Sequence, residues 1–495
     1  MRAGKLFCLV FLILDLCFSS IAFAETIVLK SGQKIEGKII EKTKDSIKIN
    51  FEGVELTYFM DEIKSIDGNI VSETAIDKTV EAEKLVNKNA LTVSSDVNAA
   101  SIYSEAVANL NNIPEDFPTK VRDLIRNGWS DDYAYLKDIL TKNQTAIAKF
   151  KEATKLQYCD FTFGKVIEKT AASPLPIPSK IFDPVRLIMI QARLHENENK
   201  YDLALNNYIS VLRFEYHLNQ QKDFMLLSNI IAIIAQNMVY DPLTQYINRK
   251  DFSLQECTNL LDTLLFLRKN KIGLDKAFEE EKESLKNTIR MLGEEAKRQG
   301  KYIDSFYQTM YKEFDERQEE FNKYLVIAYK ENKPNIYDEK VTQFENEVKK
   351  ETEPLNVAWE TLKRSLGIPS GISSPSLVAK ILSVIGTPQF SKIITKYYIA
   401  LSKFNVLLTA VAVKSYEIKN GKVPDSLQVL KPEYLPELPE DPFNDFNPLK
   451  FEKRDKGWVI YSLGPDRQDN HATIMHSGKE EDIKAAGDVV FLSTN

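Results

Sequence analysis

The sequence predicts a multidomain, mainly α chain: a small N-terminal β-barrel, an irregular α-helical array and a C-terminal α+β domain. Three observations carry that expectation. Short β-favouring runs divided by turn residues fill 25–70, and apolar residues recur at three- and four-residue steps through most of 185–366. After Asn420-Gly421 the texture changes to proline-rich turns and short alternating runs. The 495 residues, 43% hydrophobic and 27% charged, supply core material for several domains. A formal charge of -6, with lysines and acids interspersed, gives no support to a nucleic-acid groove.

Arg2 and Lys5 precede the apolar run Leu6 to Ala24, and Ala22-Phe23-Ala24 has the small-x-small pattern that signal peptidase cuts after. Residues 1–24 therefore read as a secretory signal, with a mature chain beginning at Glu25 in the periplasm or outside the cell. A retained anchor is the alternative, and Asp15 interrupts the run it would need. Leu16 is a poor residue before a lipidated Cys17. Cys159 and Cys257 remain after cleavage, and their spacing leaves open whether they pair or stay apart.

In 25–70, the runs Thr26 to Leu29, Lys34 to Glu41, Ser46 to Phe51, Val54 to Phe59 and Ile63 to Ile66 are separated by Ser31-Gly32, Lys44-Asp45 and Glu52-Gly53. So many short strands must curl to protect their edges. The run TIVLKSGQKIEGKIIEKTKDSIKINFEG resembles small SH3-like or Sm-like barrels, which implies a structural or docking module.

Residues 71–184 read as a helical linker and first helical subdomain, closed by a proline-rich elbow from Ser173 to Pro184. Trp129, Tyr133, Tyr135 and Leu136 read as inter-helix packing, with an aromatic sugar or peptide platform as the alternative. Residues 185–366 form the helical array. Its centre is expected at Phe224 to Val239, where Leu227, Ile230, Ile231, Ile234 and Met238 mark one face. Val185 to His195 and Tyr201 to Asn219 read as a helical hairpin; YDLALNNYISVLRFEYHL resembles a tetratricopeptide-type helix pair without that family's 34-residue recurrence. Residues 367–390, with Pro369, Gly371 and Pro375, read as a hinge.

Residues 391–495 begin with a long amphipathic helix that Gly421 can close. Gly421, Pro424, Leu427, Leu430, Tyr434, Leu435, Pro439, Asp441 and Pro442 are followed by Tyr461, Ser462, Gly464, Pro465 and Asp466. This G-x-x-P…L…L…YL…P-x-DP…YSxGPD order resembles the globular part of the major pseudopilin of type II secretion, and GDVVFLS resembles the last strand of related domains. The resemblance covers about one fifth of the chain. It implies a helix on a small antiparallel sheet, and calcium held in the loop after YSxGPD. Asp466 and Asp469 are the residues that the motif places there, with Asn470 a further oxygen donor. His471 and His476 with Asp469 or Glu480 are the zinc alternative. In that family a prepilin leader precedes the long helix, whereas here a signal-peptidase pattern and the helical array do, so polymerisation into a pilus is not expected.

His195, His217, Glu196, Glu198 and Glu215 stand near one another without an HExxH or ExxH spacing. The sequence therefore points to an exported, non-enzymatic scaffold that binds envelope proteins. A cell-wall hydrolase whose cleft recruits Glu196 or Glu215 is the second reading, and an accessory of a type II secretion-like or pilus-like assembly the third.

Overall fold

The structure is a computed structural model. It describes the backbone of six strands within 25–70 and residues 97–163, 177–221, 225–271, 273–298, 304–351, 375–385, 390–476 and 486–493. The secretory signal, the 71–96 linker, residues 173–176 of the proline-rich elbow, residues 367–374 and 386–389 of the hinge, and Glu480 lie outside the described residues. Two compact units are present, Met1–Asn87 and Lys88–Asn495.

The first unit holds one antiparallel sheet of β1 (Glu25–Leu29), β2 (Lys34–Lys42), β3 (Ser46–Phe51), β4 (Val54–Phe59), β5 (Ile63–Ile66) and β6 (Asn69–Ile70), in the order β4-β3-β2-β1-β5-β6. The first strand lies between the second and fifth, with Ile27 opposite Ile35 on one side and Ile66 on the other. Registers shift at Val28/Leu29 and at Ile39/Glu41, the local irregularity that lets a short strand bend.

The second unit is mostly helical. Its helices are α1 (Ala99–Ala108), α2 (Phe117–Lys120), α3 (Arg122–Asn127), α4 (Leu136–Lys142), α5 (Gln144–Ala153), α6 (Phe182–Asn197), α7 (Tyr201–Asn219), α8 (Met225–Ile247), α9 (Leu254–Lys269), α10 (Leu274–Arg298), α11 (Asp304–Lys330), α12 (Pro334–Glu351), α13 (Pro375–Ile385) and α14 (Phe390–Asn420). Near the C-terminus stand β7 (Glu440–Asp441), β8 (Asn447–Pro448), β9 (Lys450–Lys453), β10 (Trp458–Ser462) and β11 (Val489–Leu492), with β10 between β9 and β11 in a three-stranded antiparallel sheet.

The predicted hairpin is α6 and α7, and Pro184 falls in the first turn of α6, where a missing N–H costs nothing. Gly421, at φ +68°, ends α14 as its position after Asn420 predicts. Residues 375–385, inside the expected hinge, form α13, and Val378, Ala379 and Leu382 pack with Phe314 of α11.

The expected centre of the array is displaced. Leu227 is 38% exposed, while Ser228, Asn229 and Gln236 on the same helix are buried. The middle of the unit is α14 instead: Val406 to Val413 are buried at eight consecutive positions, so the helix is covered on all sides there. By length and composition α14 could cross a membrane, yet 83% of its most apolar stretch is buried inside the protein, as in the core helix of a packed body.

One hydrophobic core joins Leu187 of α6, Tyr208 of α7, Leu264 of α9, Leu408 of α14, Trp458 of β10 and Phe491 of β11. Where the sequence divides the chain at 366 and again at 391, the packing runs straight through. Hydrogen bonds cross the same line: Gln236 Nε2 to the Ala400 carbonyl at 2.7 Å, Asn248 Nδ2 to that of Leu492 at 2.9 Å, and Asn332 Nδ2 to that of Pro442 at 2.9 Å. Residues 391–495 are thus packed into the helical body rather than standing apart from it.

Candidate functional site

The residues that carry the C-terminal motif converge on the end of β10. Burial pushes the Asp441 carboxyl up, against the pull of three donors: Ser462 Oγ at 2.6 Å, the Leu463 amide at 2.9 Å and the Phe443 amide at 2.9 Å. The DP element is thereby fastened to the YS element, 21 residues downstream.

Beyond Ser462 the chain turns at Gly464, whose φ of +71° suits glycine; a Cβ there would stand 2.2 Å from the Gly487 carbonyl. This close approach brings 464–476 against 486–488. Asp466 Oδ2 accepts from the Gly487 amide at 2.9 Å, and its Oδ1 from the Gln468 amide at 3.3 Å. Asp469 Oδ1 accepts from the His471 amide at 3.1 Å and lies 3.0 Å from the Tyr461 hydroxyl, while Oδ2 faces Lys450 Nζ at 3.4 Å. Burial raises the Asp469 carboxyl, but these partners together hold it below its ordinary range. The Asn470 carbonyl accepts from Thr473 N and Oγ1, and its Nδ2 donates to the Gln468 carbonyl at 3.1 Å.

The structure adds Asp488, a residue that sequence reasoning missed. It is fully buried just before β11; Oδ2 accepts from the Ala472 amide at 2.7 Å, and Oδ1 has no hydrogen-bond partner in the protein. Burial, helped by the fields of Asp469 and Asp466, pushes its carboxyl up to about 6. The signal available in the sequence was the GD of GDVVFLS, since a glycine at φ +116° delivers the next side chain into the loop.

An orphaned, buried carboxylate oxygen beside two further acids suits a hard cation. Asp466 and Asp469 have most of their acceptor capacity spent on loop amides and Lys450. Among the described residues no group of three or more His, Cys, Asp or Glu is placed to hold a metal, so calcium here would need main-chain carbonyls and water for most of its contacts. For zinc the fit is worse. His471 is 69% exposed on its side chain and pairs with Glu452 Oε1 at 3.1 Å, and that bond, with the Asp469 field, raises its pKa.

No family model, curated protein or solved structure matches this chain.

The acids proposed for a hydrolase have other occupations. Glu196 accepts from Arg193 Nη1 at 2.8 Å and from the Tyr208 hydroxyl at 2.5 Å. Glu215, buried on α7, has Oε2 without a hydrogen-bond partner; burial pushes its carboxyl up to about 7 against the pull of Lys271, whose ammonium lies 5.3 Å from the Phe404 ring centre. Of the aromatic set, Leu136 is buried, Trp129 meets Tyr133 edge-on at 6.5 Å, and Tyr135 is 49% exposed. This is the packing arrangement, with one ring at the surface. Cys159 and Cys257 are separate buried thiols, both pushed up by burial, Cys257 to about 12.

His217 is a structural tie. Nε2 donates to the Leu156 carbonyl at 2.9 Å, which leaves Nδ1 to accept from the Tyr103 hydroxyl at 2.8 Å. Burial lowers its pKa to about 4. In acid the unfolded chain takes up that proton first, so this histidine's share of stability is lost as pH falls from about 6.5 to about 4. Glu215 works in the opposite sense: the folded chain binds its proton first, and its share is lost as pH rises from about 4.5 to about 7. The two offset each other between them. Glu215→Gln is therefore expected to steepen the gain in unfolding free energy between pH 4.5 and 6.5 by on the order of 2 kcal/mol. Urea titrations across that range check this, and parallel profiles for the two proteins would contradict it.

Proposed function

We propose that this chain is an exported, non-enzymatic scaffold that engages other proteins of the bacterial cell envelope, with an SH3-like barrel at 25–70 and a pseudopilin-like fold at 391–495. The observation that carries this reading is how the motif spends its polar atoms. Asp441 is bonded to Ser462, Asp466 to loop amides, and the Tyr461 hydroxyl to Glu452 and Asp469, so the motif serves to hold shape rather than to meet a substrate. The commitment of Glu196 to Arg193 and Tyr208, and the seat of Glu215 in the helical core, weigh against the hydrolase reading. A catalytic carboxylate has to reach its substrate.

The test has two arms. Fractionation with N-terminal sequencing is expected to find Glu25 as the first residue of envelope protein, and cross-linking there to give a partner that is lost when 464–476 is replaced by a short glycine linker. Incubation with purified peptidoglycan is expected to release nothing. Release that disappears in Glu215→Gln or Glu196→Gln would overturn the reading.

Calcium fits this scaffold as a fastener. Asp488 would supply its free oxygen, with Asp466, Asp469 and Asn470 near and main-chain carbonyls and water for the remaining contacts, and the ion would tie 464–476 to β11. Millimolar calcium, the range of extracellular modules, is expected to raise the Tm of the full chain, and Asp488→Asn to abolish the shift. An equal response in the two proteins, or none in either, rules the fastener out.

A further inference from the structure

Away from the motif, α10, α11, α12 and the start of α14 line a cavity at the joint of the second core cluster. Its apolar wall includes Phe278, Phe321 and Phe390. Three polar atoms on the same wall are buried without a hydrogen-bond partner in the protein: Gln318 Nε2, Asn322 Oδ1 and the Tyr337 hydroxyl. A buried donor or acceptor left unsatisfied carries its full desolvation penalty. Their coincidence on one cavity is informative because they are a donor, an acceptor and a group that is either.

Contacts of the other atoms hold two of these side chains in place. Asn322 Nδ2 donates to Glu279 Oε2 at 2.8 Å, which turns Oδ1 the other way, and the Tyr337 ring is packed 5.8 Å from Phe390. The cavity has about 20 Å³ open to the centre of a water molecule, and roughly 10–15 Å³ on that measure accepts one. A buried water typically makes about three hydrogen bonds.

We infer that this cavity is a binding site for one structural water, which accepts from Gln318 Nε2, donates to Asn322 Oδ1 and pairs with the Tyr337 hydroxyl. The water joins α11, which carries Gln318 and Asn322, to α12, which carries Tyr337, and so sets how α12 seats against α11.

A crystal structure of the full chain that shows ordered solvent tests the site. One water within roughly 2.7–3.2 Å of all three atoms is the expected result; direct bonds among the three side chains, or a neighbouring side chain filling the space, overturns it. Tyr337→Phe and Gln318→Met supply a second measurement on folded protein. With a shared water, the second substitution removes less than it does in the native chain, so the double variant's loss in Tm is smaller than the sum of the single losses. Strictly additive losses contradict the shared water.

Discussion

Arg193→Met is expected to destabilise the second unit by about 3–5 kcal/mol, the cost of breaking a buried ion pair from one side. The guanidinium is 1% exposed and serves three elements at once. Nε donates to the Ile125 carbonyl at 2.9 Å, Nη2 to the Arg126 carbonyl at 3.1 Å and to Gln245 Oε1 at 2.8 Å, and Nη1 to Glu196 Oε2 at 2.8 Å. The end of α3 thus has its free carbonyls satisfied by a side chain from α6, which also reaches α8. Methionine matches the stem's volume and takes the guanidinium's donors away from Ile125, Gln245 and Glu196, while the Arg126 carbonyl keeps only its bond from Gln245 Nε2. Lysine would keep the charge but not the fork, so Arg193→Lys should recover only part of the loss. Urea unfolding at pH 7 measures both; a change below 1 kcal/mol for the methionine variant would remove Arg193 from this role.

Asp441→Ala should cost a comparable amount, about 3–5 kcal/mol, because it strands the Leu463 and Phe443 amides in a buried setting and leaves the Ser462 hydroxyl only Ser402 Oγ to donate to. Asp441→Asn is the informative companion. It keeps the Oδ1 that accepts from Ser462 and Phe443 but presents an NH₂ to the Leu463 amide, and so should lose only part of the same stability. If Asp441 instead served a ligand, alanine would leave the unfolding midpoint nearly unchanged while binding was lost. Thermal unfolding of the two variants separates these outcomes.

What was legible in the sequence follows from how local each signal is. Helix pairing at α6 and α7, the stop at Gly421, and strands near Phe451 and Trp458 depend on residues close in the chain, and the spacing of apolar side chains carries that information. Burial of a whole helix depends on what surrounds it. Met225–Ile247 is the more apolar stretch by eye, yet its Leu227 is 38% exposed.

The sequence places Lys392, Lys396, Lys403 and Lys414 along α14. Two of them lie along other groups: Lys403 reaches Asn237 Oδ1 at 3.2 Å over the Tyr240 ring, and Lys414 pairs with Glu417 at 3.5 Å. Long stems let a charged residue cover apolar surface while its head finds a partner. The loop was half legible for a similar reason. Asp466 and Asp469 stand in the motif itself, whereas Asp488 reaches them through a contact of Gly464 with Gly487 that only the folded chain makes. Glu215 and His217 were visible as residues but not as buried ones.

Native-state hydrogen exchange on the full chain tests most directly whether the C-terminal segment belongs to the helical body. With Leu264 of α9, Leu408 of α14 and Ile460 of β10 in one core, their amides are expected to open with the same free energy and the same urea dependence. Two exchange isotherms, one for α7 to α9 and a separate one for α14 with β10, would contradict it.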